Sequence, residues 1–420
     1  MPEIKNKILR GDKVIWRVYF LFIFISIVEV FSAMGKEIAG GSFLPFFLRH
    51  FVWLVFGFIA CFIVHRCDYR KITRWLKFLL IVSIVLVFVP YLQAAFSHSS
   101  LSTARWIKIN LGFYLLQFQP SEIAKYITIF YTCMLMANNQ ERIEDKKVFY
   151  SLVIPLILVC LVVFWSNFST SVLIFITCFI LMRIGGVRKK YLYLLLLVGV
   201  GIVGLALLLA VISPEIASKI GRLGTVLSRI KGATITDIGV LNQSNQSLTA
   251  IATGGLLGRG IGNSIQSRFL DEAHNDFIFS IILEEGGIWL GGIVILLYIT
   301  LLYRMMKITR NAKGYFAAMS CWGMGVVITL QAVTNMSVAV GLIPVTGQTL
   351  PFISYGGTSF VIASTFLGMI INISETVEQT ENKPKEKKVE QIDNDTNDNI
   401  VQDTETLPEQ DKEVSNESNN

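Results

Sequence analysis

The sequence predicts an all-α polytopic membrane protein of about ten transmembrane helices, with a large extracytoplasmic loop between helices 7 and 8. Three observations predict it. Hydrophobic residues fill 53% of the 420 positions and mean hydropathy is +0.58, far from the balance of a soluble domain of this size. The apolar runs are long enough to cross a hydrocarbon layer of about 30 Å, and they are continuous rather than alternating, which selects helices over a barrel. Lys and Arg collect on alternate connections, as the positive-inside rule requires.

In chain order the spans fall at about 15–34, 46–64, 75–92, 120–138, 148–165, 169–184, 190–212, 276–306, 315–336 and 353–374, with boundaries good to a few residues. The first span follows a basic start without a small-residue cleavage site, so it is expected to stay in place. The N-terminal flank carries Lys5, Lys7, Arg10, Lys13 and Arg17. The connection after the second span has Arg66, Arg70, Lys71, Arg74 and Lys77, and those after the fourth, sixth and eighth are also basic. All fall on one side, which makes it the cytoplasm and puts both termini inside. Residues 1–14 then form a cytoplasmic segment and 15–374 the membrane domain. Residues 375–420 are polar, acidic and poor in apolar side chains, a composition that cannot bury a core and predicts a disordered tail. The formal charge of +7 therefore understates how basic the membrane part is. Six cysteines lie in apolar runs or their flanks without metal-ligand spacing, and they read as small apolar residues.

Two outer connections are unusual. That at about 93–119 holds Ala104-Arg105-Trp106-Ile107-Lys108, and that at about 213–275 holds Lys219, Arg222, Arg229, Lys231, Arg259 and Arg268. Cations on the outer side call for anionic partners, either lipid headgroups or a substrate. Ser213-Pro214 starts a helix, and Ile216, Ile220, Leu223, Leu227 and Ile230 give it one apolar face, so it is expected to lie in the interface. The glycine-rich stretch 254–263 could offer backbone N–H groups to a phosphate, or be a plain flexible turn. Pro120 and Ser121 start the fourth span, with Glu122 and Lys125 three residues apart on one face as an ion pair or as site residues. The outer segment 341–359 has two prolines and several glycines, hence non-helical backbone at membrane depth, tolerated only where protein or a cavity covers it.

The stretch from Asp271 to Gly292 organises the rest. A polar cluster, Asp271, Glu272, His274, Asn275 and Asp276, runs directly into an apolar segment that carries Glu284 and Glu285. Glu284 would lie about 12 Å below Asp276 along one helix. Ionisable groups at that depth are costly and by default functional; the bland reading has Glu284 paired to a Lys or Arg.

These residues carry a resemblance. The run E-A-H-N-D-F-I-F-S-I-I-L-E-E-G-G resembles the SEDS family (shape, elongation, division and sporulation; the FtsW/RodA/SpoVE proteins). So do A-R-W-I-K-I with Q-P-S-E-I-A-K, Q-S-L-T-A-I-A-T-G-G-L-L-G-R-G-I-G-N-S, and G-L-I-P-V-T-G-Q-T-L-P-F-I-S-Y-G-G-T-S, in that family's order over nearly the whole membrane part. The likeness is strongest to the division branch. It implies a peptidoglycan glycosyltransferase that polymerises lipid II at the outer face of the bacterial plasma membrane. It also implies work beside a class B penicillin-binding protein and other divisome proteins, and no nucleic acid. The family's essential acid corresponds to Asp276, and Arg105, Trp106, Lys108, Glu122, Lys125, His274, Ser354, Gly356 and Gly357 are the candidate substrate-binding residues. Three places depart from the family pattern: Asn275 stands for a common Thr, Leu270-Asp271 for Leu-Pro, and Asn167 for an Asp. Asn167 is therefore not counted in the site.

The chemistry fits one well-placed carboxylate. Joining a sugar hydroxyl to an anomeric carbon with pyrophosphate leaving needs one base and cations for the leaving group, not the paired carboxylates of a glycosidase. On this reading Asp276 is the base, Arg105 and Lys108 hold pyrophosphate, and Trp106 packs on a sugar or polyprenyl face. A divalent cation, Mg or Mn, could share that work, although no metal-ligand cluster is visible. Other readings are a lipid II flippase that uses Asp276, Glu284 and Glu285 as a pathway, a side-wall polymerase, and a scaffold that recruits a synthase.

Overall fold

Apolar runs become helices where the sequence also supplies a start. Asp12 caps α1 (Lys13–Ala33), its carboxylate accepting from the N–H groups of Val14 at 2.8 Å and Ile15 at 3.1 Å. Pro120, which needs no N–H partner, opens α4 (Pro120–Asn138). The structure, a computed structural model, describes residues 9–34, 43–96, 106–110, 115–212, 238–270 and 273–378. In order these hold α1, α2 (Phe43–Arg66), α3 (Tyr69–Phe96), a hairpin of β1 (Ile107–Asn110) and β2 (Leu115–Phe118), then α4. There follow α5 (Lys146–Ser166), α6 (Phe168–Ile184), α7 (Lys189–Ile212), α8 (Ile238–Gly254), α9 (Ile278–Asn311), α10 (Tyr315–Ala339) and α11 (Thr358–Glu378).

The chain is an all-helical polytopic membrane protein with one small hairpin. Each expected span overlaps a helix, and among the described residues seven helices are long and apolar enough to cross a membrane. Two of the others depart for physical reasons. At 17 residues α6 is short. In α4, polar and charged residues are tolerated because it sits inside the bundle, packed on α3, α5, α6 and α10 rather than on lipid. Tyr126 and Phe130 of α4 stack on Phe366 of α11, with ring centroids 5.2 and 4.9 Å apart.

Three expectations need correction. Residues 107–110 and 115–118 are not loop: Ile107 pairs with Phe118 and Lys108 with Gln117 in an antiparallel ladder. The second half of the expected long loop contains α8, which packs along α9. The eighth span is not one continuous helix, because α9 breaks at Gly287, where φ is 65° and ψ −169°. The expected interfacial helix at 214–230 and the tail beyond 378 lie outside the described residues.

The two ends of the bundle differ. At one end Asp12 meets Arg304 of α9, whose Nε lies 3.0 Å away. The Asp12 N–H donates to Ser374 of α11 at 2.9 Å. The start of α1 and the ends of α9 and α11 are thereby tied together. Asp276 belongs to the other end, where α9 begins.

Candidate functional site

A cavity of about 550 Å³ opens where α9 begins. Its walls include the starting residues of four helices: Gln119 before α4, Asn167 before α6, Phe277 before α9 and Thr358 opening α11. Each helix start carries unpaired N–H groups and about half a positive charge. Four such starts border this one space. Asp276, Glu122 and Arg49 line the same space, with Trp53 and Trp106 among its aromatic residues.

Asp276 is half-buried and sits in the turn before α9, not within the helix. Beside it the His274 ring stands edge-on to both Phe46, at 5.2 Å, and Tyr355, at 5.4 Å, which stack on each other at 4.5 Å. His50 lies beneath, 5.3 Å from Tyr355, and shares a 3.0 Å hydrogen bond with Ser26.

The adjoining wall is the irregular segment 340–357, whose backbone would be costly at membrane depth if left unsatisfied. Side chains of four helices satisfy it. The carbonyl of Thr346 accepts from Ser169 of α6, that of Gln348 from Asn335 of α10, and that of Thr349 from Gln331 of α10, at 2.8–3.0 Å. The carbonyl of Pro351 accepts from Tyr298 of α9 and that of Ile353 from Ser26 of α1. Non-helical backbone walled in by protein is what the Pro/Gly pattern predicts.

Of the residues marked from sequence, the cavity gathers Trp106, Glu122, His274, Asp276, Gly356 and Gly357. Ser354 lies behind the wall, its hydroxyl donating to the carbonyl of Asn275 at 2.7 Å. Lys125 is fully buried and does not line the space; its ammonium donates to Glu122 and Gln331, each at 2.7 Å. The backbone of Lys108 lies in β1, whereas its side chain and the whole of Arg105 are outside the described residues. Sequence reasoning missed Phe46, Arg49 and Trp53 of α2 and Gln243 of α8, and set aside Asn167, which lines the cavity and caps α6 through Thr170 N–H. The signal was present for one of them: Arg49 is a cation inside an apolar run.

Glu284 and Glu285 are buried, and neither pairs with a Lys or Arg among the described residues. The carboxyl of Glu284 instead accepts from the N–H groups of Ile265 and Gln266 and from the Ser264 hydroxyl. That of Glu285 accepts from the N–H groups of Gly262 and Ser264, both at 3.1 Å, and from Ser32 of α1. The glycine-rich stretch thus does present N–H groups to anionic oxygens, but they belong to its own chain. Two more N–H groups, of Arg259 and Gly260, take the carbonyls of Glu284 and Glu285 that the break leaves free. Backbone approaches so closely that a Cβ on Gly258 would sit 2.1 Å from the Glu285 carbonyl oxygen, and one on Gly287 2.3 Å from that of Leu256.

For a metal ion the donor set does not fit: among the described residues no three His, Cys, Asp or Glu side chains converge, and Glu122 is already held by Lys125.

Comparison with known proteins gives a consistent family. The model of the FtsW/RodA/SpoVE family, described as cell cycle protein, matches residues 12–379. A probable peptidoglycan glycosyltransferase FtsW of Coxiella burnetii is 32% identical over 344 residues, covering 79% of this chain and 87% of that protein. Stage V sporulation protein E of Bacillus subtilis is 29% identical, covering 84% of this chain and 94% of that protein. Among solved structures, a chain from a peptidoglycan synthase complex that coordinates polymerization and crosslinking superposes with a TM-score of 0.67 at 21% identity. That match covers 87% of this chain and 97% of that one. The rod shape determining protein RodA of Thermus thermophilus gives 0.60 at 20% identity, over 87% of this chain and 96% of that one. With the fold shared across both structures and the family model spanning the whole membrane part, the chain belongs to the FtsW/RodA/SpoVE family.

Proposed function

We propose that the protein is a peptidoglycan glycosyltransferase that polymerises lipid II at the outer face of the plasma membrane. The observation that carries this reading is the cavity in which Asp276 shares one space with four helix N-termini and Arg49. A diphosphate leaving group is stabilised by positive charge and N–H donors, for which the helix starts bordering the cavity are candidates. The carboxylate of Asp276 accepts the proton of the acceptor sugar hydroxyl as its oxygen bonds to the anomeric carbon of the donor. The bond from that carbon to the diphosphate oxygen breaks, and both electrons leave with the diphosphate. Arg49 joins Arg105 and Lys108 as candidate cations for it, and Trp106 offers a face to sugar or polyprenyl. A divalent cation would bind through the diphosphate oxygens rather than in a site built by the chain, and no step here depends on it.

The outer-face assignment rests on charge: the basic connections lie at the Asp12–Arg304 end, opposite the cavity. The ten-span count, with both termini cytoplasmic, follows from the same pattern. Septal wall synthesis with a class B penicillin-binding protein and other divisome proteins is what the family resemblance implies, and the similarity to relatives named FtsW is in keeping with it. The test is lipid II supplied to the purified protein with its class B partner, read both as glycan strands on a gel and as lipid movement across vesicles. A ladder of strands supports the transferase. Movement without strands would instead make it a flippase.

A further inference from the structure

The three residues that end in Asp276 have their backbone carbonyls held one after another. The carbonyl of His274 accepts from the Tyr355 N–H at 2.9 Å, that of Asn275 from the Ser354 hydroxyl at 2.7 Å, and that of Asp276 from Asn335 Nδ2 at 2.9 Å. The last donor is the unusual one. Asn335 is fully buried in α10 and its one amide nitrogen also donates to the carbonyl of Gln348, at 2.8 Å. An amide nitrogen has two hydrogens, and both are used, so its orientation is fixed by two carbonyls that no oxygen could face. Gln348 in turn donates to Thr170 in the first turn of α6, at 3.1 Å. One side chain therefore sets the spacing between the turn that carries Asp276 and the irregular wall that adjoins it.

We propose that Asn335 is a positioning residue for Asp276: by bridging the carbonyls of Asp276 and Gln348 it holds the turn that carries the carboxylate in register with the adjoining irregular wall, assisted by Ser354. The proposal rests on the transferase reading for its kinetic consequence but not for its geometry. Asn335 lies outside the cavity lining, so its loss should leave substrate binding nearly unchanged while displacing the base. Displacement of a reacting group by about 1 Å costs on the order of 100-fold in rate.

The experiment uses the full chain with its class B partner and compares wild type with Asn335→Leu, which keeps the volume and removes both donors. Lipid II polymerisation is followed as kcat and KM per folded molecule, and hydrogen exchange is followed at peptides covering 273–283 and 350–358. The expected result is a kcat lower by about 10- to 100-fold with KM within about threefold of wild type, and faster exchange of the Tyr355 amide. Wild-type kcat per folded molecule, or a rise in KM alone, would overturn the proposal. If Asn335→Leu does not accumulate, Asn335→Ser, too short to reach both carbonyls, takes its place; wild-type kcat in that variant would be equally fatal. If wild type makes no polymer, the transferase reading fails. Exchange then decides the clamp by itself: faster exchange in the variant supports it and unchanged exchange refutes it.

Discussion

Lys125 has no exposed surface, and its ammonium is held 2.7 Å from both Glu122 and Gln331. Because Gln331 also donates to the Thr349 carbonyl, the cation braces Glu122, a cavity residue, against the irregular wall. Removing one member of a buried pair leaves the other charge uncompensated, at a cost of about 3–5 kcal/mol. Lys125→Ala should therefore lower the thermal midpoint in detergent by several degrees; an unchanged midpoint would mean that the pair holds nothing. From sequence, Glu122 and Lys125 were legible as neighbours on one helix face, because periodicity reports faces. Periodicity does not report depth, so which of the two reaches the cavity was not legible. Arg49 shows the complementary loss. Its helix reads as lipid-facing from its apolar residues, and only its place beside the start of α9 reveals that one side looks onto the cavity. Asn167 lacks the family's carboxylate yet still lines the wall, because its position is set by the start of α6 and not by its charge.

At the scale of elements, α9 and the 254–268 loop form one unit. The break at Gly287 frees carbonyls, and the loop fills them; the two carboxyls then hold the loop by its N–H groups and by Ser264. Each buried donor left without an acceptor costs about 1–3 kcal/mol. Glu284→Ala strands several and should destabilise the protein strongly. Glu284→Gln keeps a carbonyl acceptor and should cost distinctly less. The check is the midpoint of thermal unfolding for both variants beside wild type, and equal midpoints for the two would contradict the latch. A pathway role for Glu284 would give another pattern, with function lost and stability kept in both variants. The sequence announced two acids at membrane depth but suggested a Lys or Arg partner, since charge pairs are the commoner solution. Backbone donors from a glycine-rich turn leave no charge signature, and the break at Gly287 hides within an otherwise good apolar run. The hairpin at 107–118 was equally hard to see, as four-residue strands are too short for alternation to stand out.

For the whole molecule, the polytopic helical architecture was legible because hydrocarbon thickness fixes the length of an apolar run, and seven helices among the described residues meet it. The cavity was not, since it is made by helix starts that are far apart in the chain. Orientation has a natural reporter. Of the six free cysteines, Cys67 is exposed, in the basic connection between α2 and α3, while Cys61, Cys133, Cys178 and Cys321 are buried and Cys160 is half-buried. A membrane-impermeant maleimide should label Cys67 in inverted vesicles and not in intact spheroplasts; the reverse would place the cavity on the cytoplasmic side. The central claim, that this cavity makes glycan with Asp276 as its base, is tested most directly by polymerisation of lipid II with the cognate class B partner, wild type beside Asp276→Asn. The amide keeps the shape of the carboxylate and removes its basicity. The account predicts a ladder of glycan strands from wild type and none from Asp276→Asn at equal expression and equal partner binding. Strands of similar length and rate from the variant would contradict it.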